Sequence, residues 1–174
     1  IGAYAMSKYL NLQDKKTVTL FADGAAGVLL TAQENEREGF LTSKLYTEGQ
    51  YCDWMGIYAG GTHMPVTQKV LDNKDHLLKF VKKFPKETNP ITWTRMIKEA
   101  CDELNIKPNF INHYFITQIN INSIWETLDN IGVERSKGHT IMEYFGYTGS
   151  ACIPMAFDDA NRKKIKNLNL IPIH

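Results

Sequence analysis

From Trp93 onward, the order of apolar patterns leaves few folds open to this chain. Trp93, Met96, Ile97, Ala100, Cys101 and Leu104 recur at i, i+3, i+4, i+7, i+8 and i+11, the single apolar face of a helix over 92–105. That periodicity makes Cys101 a core residue. Phe110 to Ile116 is an apolar run broken by Asn112 and His113, the composition of a strand buried on both faces. Asn120 suits an N-cap, and Ile121, Ile124, Trp125 and Leu128 give the next helix its face. Gly132 suits its end, at positive φ. A strand at 140–144, a helix reaching Lys164 and a last strand at 168–173 complete the series. Helix alternating with strand predicts an α/β fold, a mostly parallel mixed sheet packed by helices.

The first half is less regular. Thr17 to Asp23, rich in branched and aromatic residues, reads as a strand, followed by a turn at Gly24–Gly27 with Asp23 as its cap. Val28–Ala32 and Gly39–Tyr46 are further strand candidates. Residues 49–91 are punctuated by Gly60-Gly61, Pro65, Pro85 and Pro90, which marks a loop-rich insertion. Insertions of that length commonly cover or build a site.

Composition excludes several classes. With 43% hydrophobic and 22% charged residues, the chain is an ordinary globular sequence. A net charge of +1 gives no bulk attraction to nucleic acid or to an anionic membrane. No apolar run approaches the roughly 18 residues needed to span a bilayer, and no signal peptide is visible. Three cysteines, Cys52, Cys101 and Cys152, without a Cys-x-x-Cys pair argue against a disulfide framework or zinc site. They fit a reducing cytoplasm, and no metal or cofactor is expected. The start at Ile1 reads as the middle of a structure, so the chain is expected to be a piece of a longer protein.

The most informative run is Gly146 to Ala160, a glycine turn feeding small residues and then a helix, with Thr148 or Ser150 as the expected cap. It resembles the Gly-Asn-Thr-Ser-Ala-Ala-Ser-Ile-Pro signature of beta-ketoacyl-acyl-carrier-protein synthase III. Ile1-Gly2-Ala3, Ser7, Asp14 and Leu20 to Ala26 resemble that family's Ile-Gly-Ala…Ser…Asp…Leu-Phe-Gly-Asp-Gly-Ala-Gly stretch, and Phe115 to Asn120 stands at its Ile-Pro-His-Gln-Ala-Asn motif. Three motifs in the right order carry the resemblance over nearly the whole chain. It implies the C-terminal half, residues 1–174, of a thiolase-like αβαβα fold, with 1–16 as the junction from a missing N-terminal half. It implies acyltransferase chemistry on acyl-CoA or acyl-carrier-protein thioesters, in fatty acid or polyketide-type synthesis. It also implies a nucleophilic cysteine in the other half, so that this piece alone is expected to be inactive. An isolated half of such a fold exposes a wide sheet face, so tight association with another copy, as a homodimer, or with the missing half is expected.

In the family, a histidine and an asparagine from this half hold the thioester carbonyl and stabilise the enolate formed on decarboxylation. Those positions fall on Thr117, a hydroxyl donor that does not titrate near neutral pH, and Tyr147, a phenolic donor on a bulkier, longer arm. Gln118 and Asn120 match the family's Gln and second Asn. Gln118, Asn120, Thr148 and the loop histidine His63 are candidate substrate-binding residues. His113 reads as a hydrogen-bonded core histidine, Cys152 as packing behind the turn, and Asp158-Asp159 as an exposed helix pair. Lys79, Lys82, Lys83 and Lys86 read as a solvated face, or as a landing site for an acidic carrier protein. The double replacement also admits an alternative, a catalytically inactive family member serving as a partner subunit.

Overall fold

The computed structural model describes residues 1–32, 34 and 39–163, and the backbone of 170–173. At its centre, strand β5 (His113–Ile116) is sandwiched between helices, because its side chains alternate between two apolar layers. We number strands β1–β6 and helices α1–α6 in chain order. Tyr114 and Ile116 face α3 (Thr88–Glu103) and α4 (Ile121–Asn130), packing with Trp93, Ile97, Cys101, Ile124 and Leu128. Phe115 points the other way, onto Ala156 and Ala160 of α6 (Cys152–Arg162) and onto Ile141. Burying each large side chain of this kind stabilises the fold by about 1.5–3 kcal/mol.

The expected helix at 92–105 is present and begins one turn earlier. Pro90 fits that first turn, where a missing N–H costs nothing. Cys101 is 1% exposed, a core residue as its spacing requires, and burial pushes its thiol pKa up. Asn120 caps α4, its Oδ1 accepting from the Asn122 N–H at 3.0 Å, and Gly132 follows the helix at φ +70°. The last strand, β6 (Leu170–Ile173), pairs in parallel with β5, with His113 opposite Leu170 and Ile116 opposite Ile173. Residues 164–169 of the expected last helix and strand lie outside the described residues.

Four strand expectations are corrected. Thr17–Asp23 does not form a strand: Lys15–Val18 is the short helix α1, because the Asp14 side chain accepts from the Lys16 N–H at 3.0 Å and from the Thr17 hydroxyl at 3.0 Å. Only Phe21 forms an isolated parallel bridge, to Tyr147. Gly24–Ala26 is not a turn but strand β2, antiparallel to β1 (Gly2–Tyr4) with Gly2 opposite Ala26. Asp23 therefore caps no turn; it accepts from the Ser7 N–H at 2.8 Å and from its hydroxyl at 2.5 Å, which holds its carboxyl below the usual range. Residues 28–32 and 39–46 form no ladder among the described residues. The strand expected at 140–144 is replaced by helix α5 (Met142–Phe145). Its first N–H groups are captured by the Gln118 Oε1, which accepts from Ile141 at 2.8 Å and from Met142 at 3.1 Å.

The segment 49–91 folds into short pieces. β3 (Met55–Gly56) pairs antiparallel with β4 (Lys79–Phe80), and α2 (Gln68–Asp72) is capped by the Thr67 hydroxyl. Tyr51, Trp54 and Phe84 pack edge-on or tilted at 4.8–5.6 Å, a small aromatic core of its own.

Candidate active site

Thr117 directly follows β5 and is 8% exposed, so the sheet fixes its backbone and the core fixes its side chain. Its Oγ1 lies 3.4 Å from the Cys152 Sγ, at the first residue of α6. Tyr147 arrives from the other side. The Ala22 N–H donates to its carbonyl at 2.9 Å, and its ring packs on Phe21 at 5.7 Å and on Tyr4 at 6.4 Å. The phenol then meets the Thr117 side chain. Burial pushes the Tyr147 pKa up, and the bond to Thr117 draws it partly back. Tyr4, behind it, is pushed up to about 12 by burial, then by Tyr147 and Asp23. Both phenols are therefore neutral donors at neutral pH.

Thr117 and Tyr147 open onto one pocket of about 320 Å³, walled by Trp93 and Ile119. Thr88, Asn89 and Thr92 from the start of α3 line it, with Tyr46 and Glu48 from an extended segment across from that helix. None of these five polar or aromatic groups is among the candidates expected from the sequence. Thr88, Asn89 and Thr92 have a signal there, polar residues clustered at a helix start; Tyr46 and Glu48 have none.

The remaining candidates lie elsewhere. Gln118 is fully buried, and besides the α5 contacts its Nε2 donates to the His139 carbonyl at 2.9 Å, so its amide is committed to that loop. Asn120 is committed to capping α4. Thr148 is buried with its hydroxyl 3.4 Å from the Met155 Sδ, and the Ser150 hydroxyl donates to the Ala3 carbonyl at 3.3 Å. Neither caps the helix, contrary to expectation, because a 3-10 turn at Gly149–Ala151 precedes α6 and makes Ala151 the N-cap. His63 is exposed in the 60–64 loop and is not among the residues lining the pocket. His113 is half-buried, its pKa lowered by burial and then by His139 and Lys137. Asp159 holds His139 at 2.8 Å and Lys163 at 2.9 Å, a structural role. Lys79 pairs with Asp75 at 2.5 Å, and Lys82 lies over the Trp54 ring. Among the described residues, no cluster of His, Cys, Asp and Glu is arranged to hold a metal ion, and no helix is long and apolar enough to cross a membrane.

Gly149 locks the turn beneath Tyr147. It sits at φ +53°, and a Cβ there would stand 2.5 Å from the Tyr4 ring. Gly149→Ala is expected to destabilise by about 2–4 kcal/mol, from left-handed strain plus overpacking. A urea midpoint unchanged from the parent would refute that packing.

The profile of 3-oxoacyl-[acyl-carrier-protein (ACP)] synthase III matches residues 1–49, and that of its C-terminal domain matches residues 95–172. The chain belongs to the 3-oxoacyl-[acyl-carrier-protein] synthase III family. Among synthase III relatives, it is 29% identical to a beta-ketoacyl-[acyl-carrier-protein] synthase III of Sulfurovum sp. (strain NBC37-1), over 98% of this chain and 51% of the relative. It is 28% identical to that of Aliarcobacter butzleri (strain RM4018), over 95% of this chain and 50% of the relative. The crystal structure of 3-oxoacyl-(acyl carrier protein) synthase III from Pseudomonas aeruginosa PAO1 superposes with a TM-score of 0.85 at 20% identity, covering 98% of this chain and 52% of that one. The synthase III of Aquifex aeolicus VF5 gives 0.75 at 18% identity, over 93% and 47%. The fold is thus the thiolase-like α/β fold of synthase III, and the chain spans about half the length of the curated relatives it matches.

Proposed function

We propose that the protein containing this chain is a synthase III-type acyltransferase acting on acyl-CoA or acyl-carrier-protein thioesters in fatty acid or polyketide-type synthesis, with Thr117 and Tyr147 at the family's histidine and asparagine positions. The observation that carries it is the meeting of those two side chains on the wall of one pocket. The Thr117 Oγ1 and the Cys152 Sγ share a contact in which either group can donate, and the Tyr147 phenol beside Thr117 faces the pocket as a donor. A neutral, half-buried phenol is suited to a thioester carbonyl that gains negative charge as it is attacked. The pair supplies one aimed donor and no base active near neutral pH. Simple acyl transfer is therefore favoured over decarboxylative condensation, which calls for two donors.

The acyl-accepting cysteine belongs to the family's other half. Val28, Leu29, Leu30 and Phe40 are exposed here, which fits burial against that half or a second copy in a homodimer of the cytoplasm. A second reading, an inactive partner subunit, is favoured by one feature: the Tyr147 ring packs, partly buried, against Tyr4 and Phe21. Intact-mass measurement of the full-length protein incubated with acyl-CoA separates the two. A covalent acyl adduct on a cysteine of the other half is the expected result. No adduct with any acyl chain would leave the partner-subunit reading standing.

A further inference from the structure

We propose that Tyr46 is a specificity-determining residue, the face of a side-chain-clamped strap that sets the size of the group the pocket admits. This rests on the acyl-thioester reading above. Residues 42–48 run extended alongside α3, and residues 40–47 make no backbone–backbone hydrogen bond to another described residue. Their side chains alternate as in a strand: Leu41 and Leu45 point to solvent at 54% and 92% exposure, while Thr42 and Lys44 turn toward the helix.

What holds the strap is a stripe of three α3 residues one turn apart. Lys44 and Thr42 bind the Glu103 carboxylate, which keeps that carboxyl below its usual range. The Tyr46 hydroxyl donates to Glu99. The Arg95 guanidinium lies over the Tyr46 ring, 4.0 Å from its centroid. Positions 103, 99 and 95 descend one helix face toward Thr92 and Thr88, which line the pocket. The clamp therefore delivers Tyr46 to the pocket's edge with both its ring face and its hydroxyl engaged.

A wall held by side chains alone yields when one of them is removed, whereas a wall held by a backbone ladder does not. Exposed contacts of this kind are individually weak, so losing the ring that Arg95 and Glu99 share frees the strap end. The pocket then opens on the Tyr46 side without touching Thr117 or Tyr147.

The test uses the full-length protein with acetyl-, hexanoyl- and dodecanoyl-CoA, reading covalent loading rates by intact mass and strap amides by hydrogen exchange. Tyr46→Ala is expected to raise dodecanoyl over acetyl loading by about tenfold and to speed exchange at 42–48. Tyr46→Phe, which keeps the ring on Arg95, is expected to hold the parent ratio. Arg95→Ala, which leaves the tyrosine in place, is expected to shift the ratio in the same direction as Tyr46→Ala and stands in for that variant should it not fold. An unchanged ratio, or an equal loss for all three thioesters, overturns the assignment while leaving the thioester reading intact. Failure of every thioester to load the parent protein overturns both.

Discussion

Gln118→Ala is expected to cost about 3–5 kcal/mol of folding free energy, because one buried amide serves three backbone groups at once. Its removal strands the Ile141 and Met142 N–H groups and the His139 carbonyl where little water reaches them. Each orphaned group costs about 1–3 kcal/mol, partly relieved where Met142 borders solvent. The effect passes on to function. α5 starts on that amide and leads through Gly146 into Tyr147, so loosening its start loosens the phenol's approach to Thr117. Gln118→Glu is the informative companion: it keeps an acceptor for both N–H groups but sets a carboxylate against the His139 carbonyl, and an intermediate loss is expected. Urea unfolding of the full-length variants measures both. A Gln118→Ala midpoint within experimental scatter of the parent would mean that the loop finds other partners and that this amide does not organise it.

The same residue explains where sequence reading ran out. The α3 and α4 faces were legible because periodicity and caps are local: Asn120 lies next to the helix it caps, and Gly132 just past its end. The strand expected at 140–144 failed because the group that starts a helix there comes from Gln118, more than twenty positions upstream. At Thr17 the deciding group is local: the Asp14 side chain overrides the strand preference of the branched residues that follow. Motif position singles out Thr117 and Tyr147, and both line one pocket. Nothing in the neighbourhood of Tyr46 or Glu48 in sequence points to a pocket, since both are carried there by side-chain contacts to α3. Gln118 and Asn120 illustrate the converse: a match to a motif located the residue, and the hydrogen bonds gave it a structural task.

Tyr147→Phe is expected to lower the acyl-transfer rate about 100- to 1000-fold, the usual loss when a single aimed oxyanion donor is removed. The fold should hold, because the ring keeps its contacts with Phe21 and Tyr4, and only the bond to Thr117, about 1 kcal/mol, is given up. Thr117→Val removes the group that orients the phenol without touching the phenol itself, so a smaller loss, about tenfold, is expected. The double variant should then be little worse than Tyr147→Phe, since a residue that acts through another adds nothing once the other is gone. The pH profile adds an independent check. Burial raises the Tyr147 pKa above its ordinary 10.0, so the donating form is complete through neutrality and is lost only as pH rises past that folded value. The parent should therefore show no limb near neutral pH from this group, unlike an enzyme with histidine at position 117, whose ordinary pKa lies near 6.5. Turnover untouched in Tyr147→Phe would strip the phenol of its role and leave the tyrosine as packing between two aromatic rings.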